Sequence, residues 1–375
     1  MQAGKRWAVT IVVLAAFAGV VTWSVRGHEQ QKVIAQQEQV QASAEDVTGL
    51  VTVDVDPFFA DARVQRILRD KGLAVKATRA GSRDMPAKLA GGVKADFWFP
   101  SGVLAANQID DMAKKQGLTL TQTSPFNSPM VVASWAPIAK ILQANGIAHP
   151  TGDRVYALNM DKLGETMLAK KRWTELKGAD AYAVKRSVLV STTDVRKSNS
   201  AAMYLALMSQ AVNGDVVTDH ATAKATAGKL AELFKRQGFQ ENYVNGNFDD
   251  YVQIGIGKAP LAFIYEYQLV GYAMSKKGIQ PDMVLMYPEP TIVNKFVLLA
   301  ATARGKALQQ ELATNPELQK IAVEYGLRTA DSTLFAAAVK PTGLAIQDRI
   351  QQVIDPPAYE LMSDMIDTVT TEMAQ

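Results

Sequence analysis

Residues 49–102 read GLVTVDVDPFFADARVQRILRDKGLAVKATRAGSRDMPAKLAGGVKADFWFPSG. Three runs of β-branched, aliphatic and aromatic residues, 50–55, 73–78 and 95–99, alternate with two helical patterns. The first helical pattern, 62–69, sets Val64, Ile67 and Leu68 on one face. The second, 85–90, follows Gly81-Ser82. After Pro100-Ser101-Gly102 another helix runs to about Lys115, and 118–122 reads as a fourth strand. Strands alternating with helices predict an α/β unit with a mainly parallel sheet, because a parallel pair needs a crossover that packs on the sheet face.

Working outward, the pattern restarts at Ser128-Pro129. Residues 130–134 predict a strand, Pro137 opens a helix ending near Asn145, and 185–191 is a clean apolar strand. Residues 201–210 and 221–237 are strongly helical. Strands follow at 259–265, 282–286 and 292–300, with Tyr287-Pro288-Glu289-Pro290 dividing the last two, and 314–326 is an amphipathic helix. The restart predicts two α/β lobes joined by more than one chain crossing. The first lobe comprises 49–128 with 288–375, and the second 129–287.

Toward the N-terminus, Trp7 to Val25 is an uncharged stretch of 19 residues between Lys5-Arg6 and Arg26. As a helix it spans ~28 Å, enough to cross a hydrocarbon core. The preceding basic residues place the N-terminus inside. The expectation is therefore a cytoplasmic segment (1–6), one transmembrane helix (7–25), a polar stalk (26–48), and a soluble part in the periplasm or extracellular space. A signal peptide cleaved after Ala16-Phe17-Ala18 is the alternative. The apolar run continuing through Val20, Val21 and Trp23 favours a retained anchor in the cytoplasmic membrane.

Composition narrows the chemistry. The 375 residues contain no Cys, which excludes disulfides, thiolate metal sites, Cys nucleophiles and a Cys-linked lipid. Three histidines, His28, His149 and His220, exclude a His-rich metal site. A net charge of +3 gives no reason to expect nucleic acid as a partner. No phosphate loop, nucleophile elbow or zinc-protease motif is present, so neither an enzyme nor a cofactor is expected. Asp54, Asp56 and Asp61 do not read as a metal site, since Asp61 suits a helix cap. Asp249-Asp250 lacks the spacing of a calcium loop.

Several strands end in small hydroxyl residues followed by a helix: Gly81-Ser82, Pro100-Ser101-Gly102, Asn127-Ser128-Pro129, and Thr192-Thr193 leading to Ser198-Asn199-Ser200. In open α/β sheets, ligands bind beyond the carboxyl ends of the strands, where helix N-termini offer free amides. Each site alone is explained by capping. Their recurrence in both lobes supports a binding cleft. Ser198-Asn199-Ser200 is the sharpest case, since three polar residues exceed what one cap needs. Tyr265-Glu266-Tyr267 ends an apolar strand, so Glu266 reads either as a solvated terminus or as a cleft residue pairing with Arg83 or Arg196. Phe58 and Tyr265 read as packing or as cleft walls.

These segments resemble bacterial extracellular solute-binding proteins of the two-lobed type II class, which includes molybdate- and tungstate-binding proteins. The resemblance rests on 78–85 (TRAGSRDM), 95–102 (ADFWFPSG), 128–133 (SPMVVA), Ser198-Asn199-Ser200, 287–291 (YPEPT) and 325–328 (YGLR), and spans about residues 50–330. It implies ligand contacts at Ser82, near Ser101 and Ser128, at Thr192, Thr193, Ser198, Asn199 and Ser200, and around Tyr265 and Glu266; Arg83 and Glu266 are expected to set charge selectivity. Two departures stand out. Asp54-Val55-Asp56-Pro57-Phe58 occupies the place of a small hydroxyl residue, which together with Glu266 disfavours a simple oxyanion. Ala201 stands where relatives often have glycine.

The resulting expectation is a membrane-anchored solute-binding protein whose lobes close on a small polar or charged ligand by hinge motion near Ser128 and residues 287–290. It would present that ligand to an inner-membrane transporter or another envelope protein. The alternative is an envelope scaffold that uses the same fold to bind a protein partner.

Overall fold

The structure is a computed structural model describing residues 39–41 and 43–375. The transmembrane expectation at 7–25 and most of the stalk lie outside the described residues. Among the described residues, no helix is long and apolar enough to cross a membrane.

The strands are β1 (Glu45–Val51), β2 (Leu73–Arg79), β3 (Phe97–Phe99), β4 (Thr121–Trp135), β5 (Ala148–Gly152), β6 (Val155–Asn159), β7 (Leu261–Tyr265), β8 (Met283–Glu289) and β9 (Val293–Ala300). The helices are α1 (Asp56–Ala60), α2 (Ala62–Asp70), α3 (Met85–Ala90), α4 (Val103–Lys115), α5 (Ala136–Ala144), α6 (Met160–Leu168), α7 (Asn199–Asn213), α8 (His220–Lys235), α9 (Val244–Asp249), α10 (Glu266–Met274), α11 (Ala303–Thr314), α12 (Pro316–Glu324), α13 (Ser332–Val339) and α14 (Tyr359–Ala374).

In the first lobe the order is β2-β1-β3-β9-β4, with β1 parallel to β2 and β3, and β9 antiparallel to both β3 and β4. In the second lobe β4 pairs antiparallel with β7 and β8, β8 pairs parallel with β6, and β6 closes an antiparallel hairpin with β5. Both sheets are therefore mixed, a correction to the expectation of mainly parallel ones. Parallel pairing holds only where a helix returns the chain, as α2 and α3 do around β1.

Strand β4 explains the apparent restart at Ser128. Its first part, to Pro129, pairs with β9, and its last residues, from Met130, pair with β7 and β8. One continuous strand therefore carries the chain between the lobes. Pro125 and Pro129 made it read as two elements. Pro125 falls within the register irregularity between Thr123 and Phe126, and Pro129 sits where β4 changes partners, positions at which a missing N–H breaks no ladder. The expected strand at 185–191 is instead an extended segment with isolated bridges from Ser187 to Arg172 and from Ser191 to Ala262. The first strand starts at Glu45, inside the expected stalk, and ends at Val51 because Asp56-Pro57 opens α1.

The first lobe has a core on each face of its sheet. Phe58, Phe59, Phe97, Phe99, Phe126 and Phe296 fill one, and Leu50, Met85, Trp98 and Ile109 fill the other. Phe58 is thus a core residue, packed edge-on against Phe126, and not a cleft wall. The second lobe has one large core that includes Trp135, Trp173, Tyr204, Phe234 and Phe263. Leu361, Met362, Met365, Ile366 and Val369 of α14 belong to that same core, so the C-terminal helix packs on the second lobe instead of the first. On its way there the tail bridges to the interlobe crossing, with Thr291 N–H donating to Gln352 and Ile354 N–H donating back to Thr291. Gln108 of α4 donates to the Tyr359 hydroxyl at 2.9 Å.

Candidate functional site

Between the lobes lies a small cavity of about 30 Å³, lined by Thr52, Val53, Asp54, Gly81, Ser82 and Ser101 from the first lobe and by Lys197, Ser198, Asn199, Tyr243, Val244 and Tyr265 from the second. That volume is about the space one water occupies in the liquid. A ligand larger than a water does not fit the cavity as it stands.

The elements aim these groups by ordinary means. Val51 ends β1, and the turn through Thr52–Asp54 projects beyond it. Ser82 follows β2, and Ser101 follows β3. All three positions are the carboxyl ends of parallel strands. From the other lobe, α7 points its N-terminus into the cavity. Ser198 is its N-cap residue, but no side chain caps the helix. The first amides of a helix lack intrahelical acceptors and carry the positive end of its dipole, so this end is suited to an anionic or acceptor group.

The hydroxyls and amides form a connected network. The Ser101 amide donates to Ser82 Oγ at 2.9 Å, and Asn294 Nδ2 donates to Ser101 Oγ at 2.9 Å. Ser101 Oγ and the Tyr265 hydroxyl lie 3.2 Å apart. Asn199 Nδ2 donates to Asn294 Oδ1 at 3.0 Å and to the Tyr265 hydroxyl at 3.2 Å. The lobes approach closely at Gly102, where a Cβ would lie 2.7 Å from Asn199 Oδ1 and where φ is +94°. Arg83 Nη1 crosses from the first lobe to the Val195 carbonyl at 2.6 Å.

Asp54 is the ionisable acid in the lining. It accepts from Thr52 Oγ1 at 2.7 Å and from the Tyr267 hydroxyl at 2.9 Å. Burial raises its pKa above the ordinary carboxylate value, and these hydrogen bonds offset only part of that rise. Burial, with the Asp54 charge adding to it, also pushes the Tyr265 and Tyr267 hydroxyls upward, so both remain donors at neutral pH. The exposed Lys197 is the lining cation.

Of the expected residues, Ser82, Ser101, Ser198, Asn199 and Tyr265 line this cavity. Thr193 and Ser200 stand behind it. Ser200 Oγ lies 2.7 Å from Thr193 Oγ1 and 2.9 Å from Ser198 Oγ, which fixes the Ser198 side chain. Thr192 is buried, its amide held by Gln237. Ser128 is buried at the interlobe crossing, where its Oγ accepts from the Tyr267 amide. Glu266 is not a cleft residue and pairs with neither Arg83 nor Arg196. It is fully buried near the interlobe crossing, bound bidentately by Arg328 at 2.6 and 2.8 Å and hydrogen-bonded by the Tyr287 hydroxyl. Arg196 pairs with Asp194 instead. The polar lining residues that sequence reasoning did not assign to the site are Thr52, Asp54, Lys197 and Tyr243. Asp54 was visible as a departure from the resembled pattern. Tyr243 lies on a connecting segment with no periodic signal and is held beneath the Arg79 guanidinium at 5.9 Å.

No family model matches the chain, and no curated protein matches it in sequence. Solved structures match it in fold. An ABC transporter protein from Clostridium perfringens superposes with a TM-score of 0.54 at 11% identity, covering 88% of this chain and 98% of that one. The Trichodesmium protein IdiA (FutA), solved in complex with iron and citrate, gives 0.52 at 12% identity, covering 88% and 99%. A cyclic α-maltosyl-1,6-maltose binding protein from Arthrobacter globiformis gives 0.51 at 10% identity, covering 88% and 94%. At such identities the likeness establishes the fold alone, because one fold hosts many functions. The chain has the two-lobed, mixed α/β fold of type II periplasmic solute-binding proteins.

Proposed function

We propose that this chain is an extracytoplasmic solute-binding protein, tethered by its N-terminal segment, whose lobes close over a small polar ligand and present it to a membrane transporter. One observation carries the reading. Side chains from both lobes, the uncapped N-terminus of α7 and the half-buried Asp54 converge on one interlobe cavity. The α7 end suits an acceptor or anionic group, while Asp54 suits a donor. A ligand bearing both, such as an amino-acid-like zwitterion or a partly protonated oxyanion, meets both demands. No covalent chemistry is needed. The solute-binding fold of the structural neighbours supports the binding role.

The test is thermal unfolding of the full-length chain in mild detergent against oxyanions, amino acids, sugars, polyamines and metal ions. A ligand at 100 times its Kd adds about 2.7 kcal/mol of stability. The expected result is a stabilising ligand whose effect disappears in Ser198→Ala and Ser82→Ala. A flat panel from folded protein refutes it.

A second reading, an envelope scaffold that docks a protein partner, is favoured by the way Asn199, Asn294, Ser101 and Tyr265 satisfy one another across the cleft. A flat panel shifts the weight to it.

A further inference from the structure

The second lobe contains another cavity, of about 320 Å³, that shares no lining residue with the interlobe one. Small-ligand sites begin at roughly this size. Three cations line it, Arg186, Arg236 and Lys258, and among the described residues no carboxylate does. They come from three separate parts of the chain: the extended segment after residue 185, the C-terminus of α8, and the turn before β7.

Backbone carbonyls hold two of these groups in place. Arg186 Nη1 donates to Gly257 at 2.6 Å, and Arg236 Nη1 donates to Met167 at 2.8 Å. Neither contact neutralises charge. Arg236 Nη2 is buried with no acceptor among the described residues, which leaves donor capacity unspent. Lys258 has Asp250 at 3.6 Å, beyond hydrogen-bond contact. Like charges around one hollow repel one another; the Asp250 ion pair offsets this only at Lys258, and an anion seated in the hollow would offset it for the two arginines. Ser187, Ser191 and Gln237 add neutral polar groups to the lining, and the rest of it is apolar. Trp173 is buried, Leu189 and Pro260 line the hollow, and Phe239 is 77% exposed. A phenyl ring that open to water costs free energy that an apolar ligand body would recover.

We propose that this cavity is a binding site for a small organic anion, a phosphate ester or carboxylate with an apolar body. Arg186, Arg236 and Lys258 hold the anionic group, and Phe239 and Leu189 cover the body. Two arginines suit such a group because each guanidinium presents paired donors matched to its oxygens.

Isothermal titration of the full-length chain with phenyl phosphate, inorganic phosphate and an Asp/Glu-rich peptide tests this. Phenyl phosphate is expected to bind saturably and about fivefold or more tighter than inorganic phosphate. Arg186→Gln and Lys258→Gln should each weaken it roughly tenfold. Both side chains are at least partly exposed, so both variants should fold. Phe239→Ala should weaken phenyl phosphate and leave inorganic phosphate unchanged. Lys224→Gln, an exposed cation of α8 outside both cavities, should leave phenyl phosphate binding unchanged. Three outcomes overturn the proposal: no saturable heat up to about 10 mM ligand; binding that survives Arg186→Gln but is lost in Ser198→Ala; or binding of the acidic peptide with which phenyl phosphate does not compete, which makes the hollow a protein-docking point.

Discussion

Replacing Arg328 by Leu should be among the most damaging single changes in this molecule, and its cost follows from the contacts. Arg328 is 8% exposed and Glu266 fully buried. The carboxylate receives Nε and Nη2 of Arg328 and the Tyr287 hydroxyl. Burial opposes the guanidinium charge, but the Glu266 carboxylate outweighs it and raises the Arg328 pKa above its ordinary value. Arg328 also donates to the carbonyls of Gln347 and Asp348 and lies over the Phe335 ring at 4.6 Å. Its own backbone is tied to Asn127 of β4 in both directions. Deleting it strands a buried carboxylate with one donor and removes its bonds to the tail at Gln347 and Asp348. Losing one member of such a pair costs about 3–5 kcal/mol. With a urea slope near 3 kcal/mol per molar, the midpoint should fall by roughly 1–2 M. Adding Glu266→Gln to Arg328→Leu removes the stranded charge, so the double variant should recover about 1–3 kcal/mol relative to Arg328→Leu alone. Arg328→Leu within about 1 kcal/mol of the parent would refute the reasoning. So would a Glu266→Gln variant that abolishes ligand binding with unfolding unchanged, since Glu266 would then be a ligand residue as its sequence position suggests.

Two further expectations concern the cleft. Because the folded pKa of Asp54 is raised above the ordinary 3.8, the folded state holds that proton more tightly than the unfolded chain, and stability falls as pH rises from 3.8 through the folded pKa. Asp54→Asn should therefore melt higher than the parent at pH 7, and its advantage should shrink as pH falls toward 3.8; an advantage that does not vary with pH would show that charge burial is not its source. Gly102→Ala places a methyl group against Asn199 at a positive φ, so it should cost about 1–3 kcal/mol and part the lobes, giving a larger radius of gyration by small-angle scattering; an unchanged radius and melting temperature would show that the lobes do not meet there.

The strand and helix rhythm of 49–102 was legible because helix packing over a parallel sheet demands it, and β2, α2, α3 and β3 lie within a residue or two of their expected places. What failed was long-range. Pairing direction is not written in a strand's own composition. Hence β9, an apolar run like the others, gave no sign that it runs antiparallel between β3 and β4. The run at 185–191 has strand composition, yet it lacks a neighbour along its length and remains a bridged extension. The tail was similarly opaque. Only the burial of Leu361, Met365 and Val369 in the second core shows which lobe α14 covers.

The site shows the same division. Hydroxyl residues at strand ends are recognisable by type, but type does not say whether a given one faces the cleft, stands behind it or sits in the interlobe crossing. Ser101 and Ser128 look alike in sequence, each beside a proline near a strand. Ser101 meets Tyr265 at the cavity, whereas Ser128 accepts an amide inside the interlobe crossing. Two acids exchange places for the same reason. Glu266, read as a candidate for charge selection, is neutralised by Arg328 and closed to a ligand. Asp54, read only as a reason against an oxyanion, lines the cavity together with the α7 N-terminus and accepts from the Thr52 and Tyr267 hydroxyls. Selectivity then turns on the Asp54 proton. Protonated, the acid donates to an oxyanion held by α7; ionised, it repels that oxyanion and favours a ligand that brings its own donor. Binding of a simple oxyanion should therefore strengthen as pH falls, while a zwitterion should bind best above the Asp54 pKa. Titrations of an oxyanion and an amino acid at two pH values, one on either side of that pKa, separate the two ligand classes; affinities that do not respond to pH would remove Asp54 from the selection.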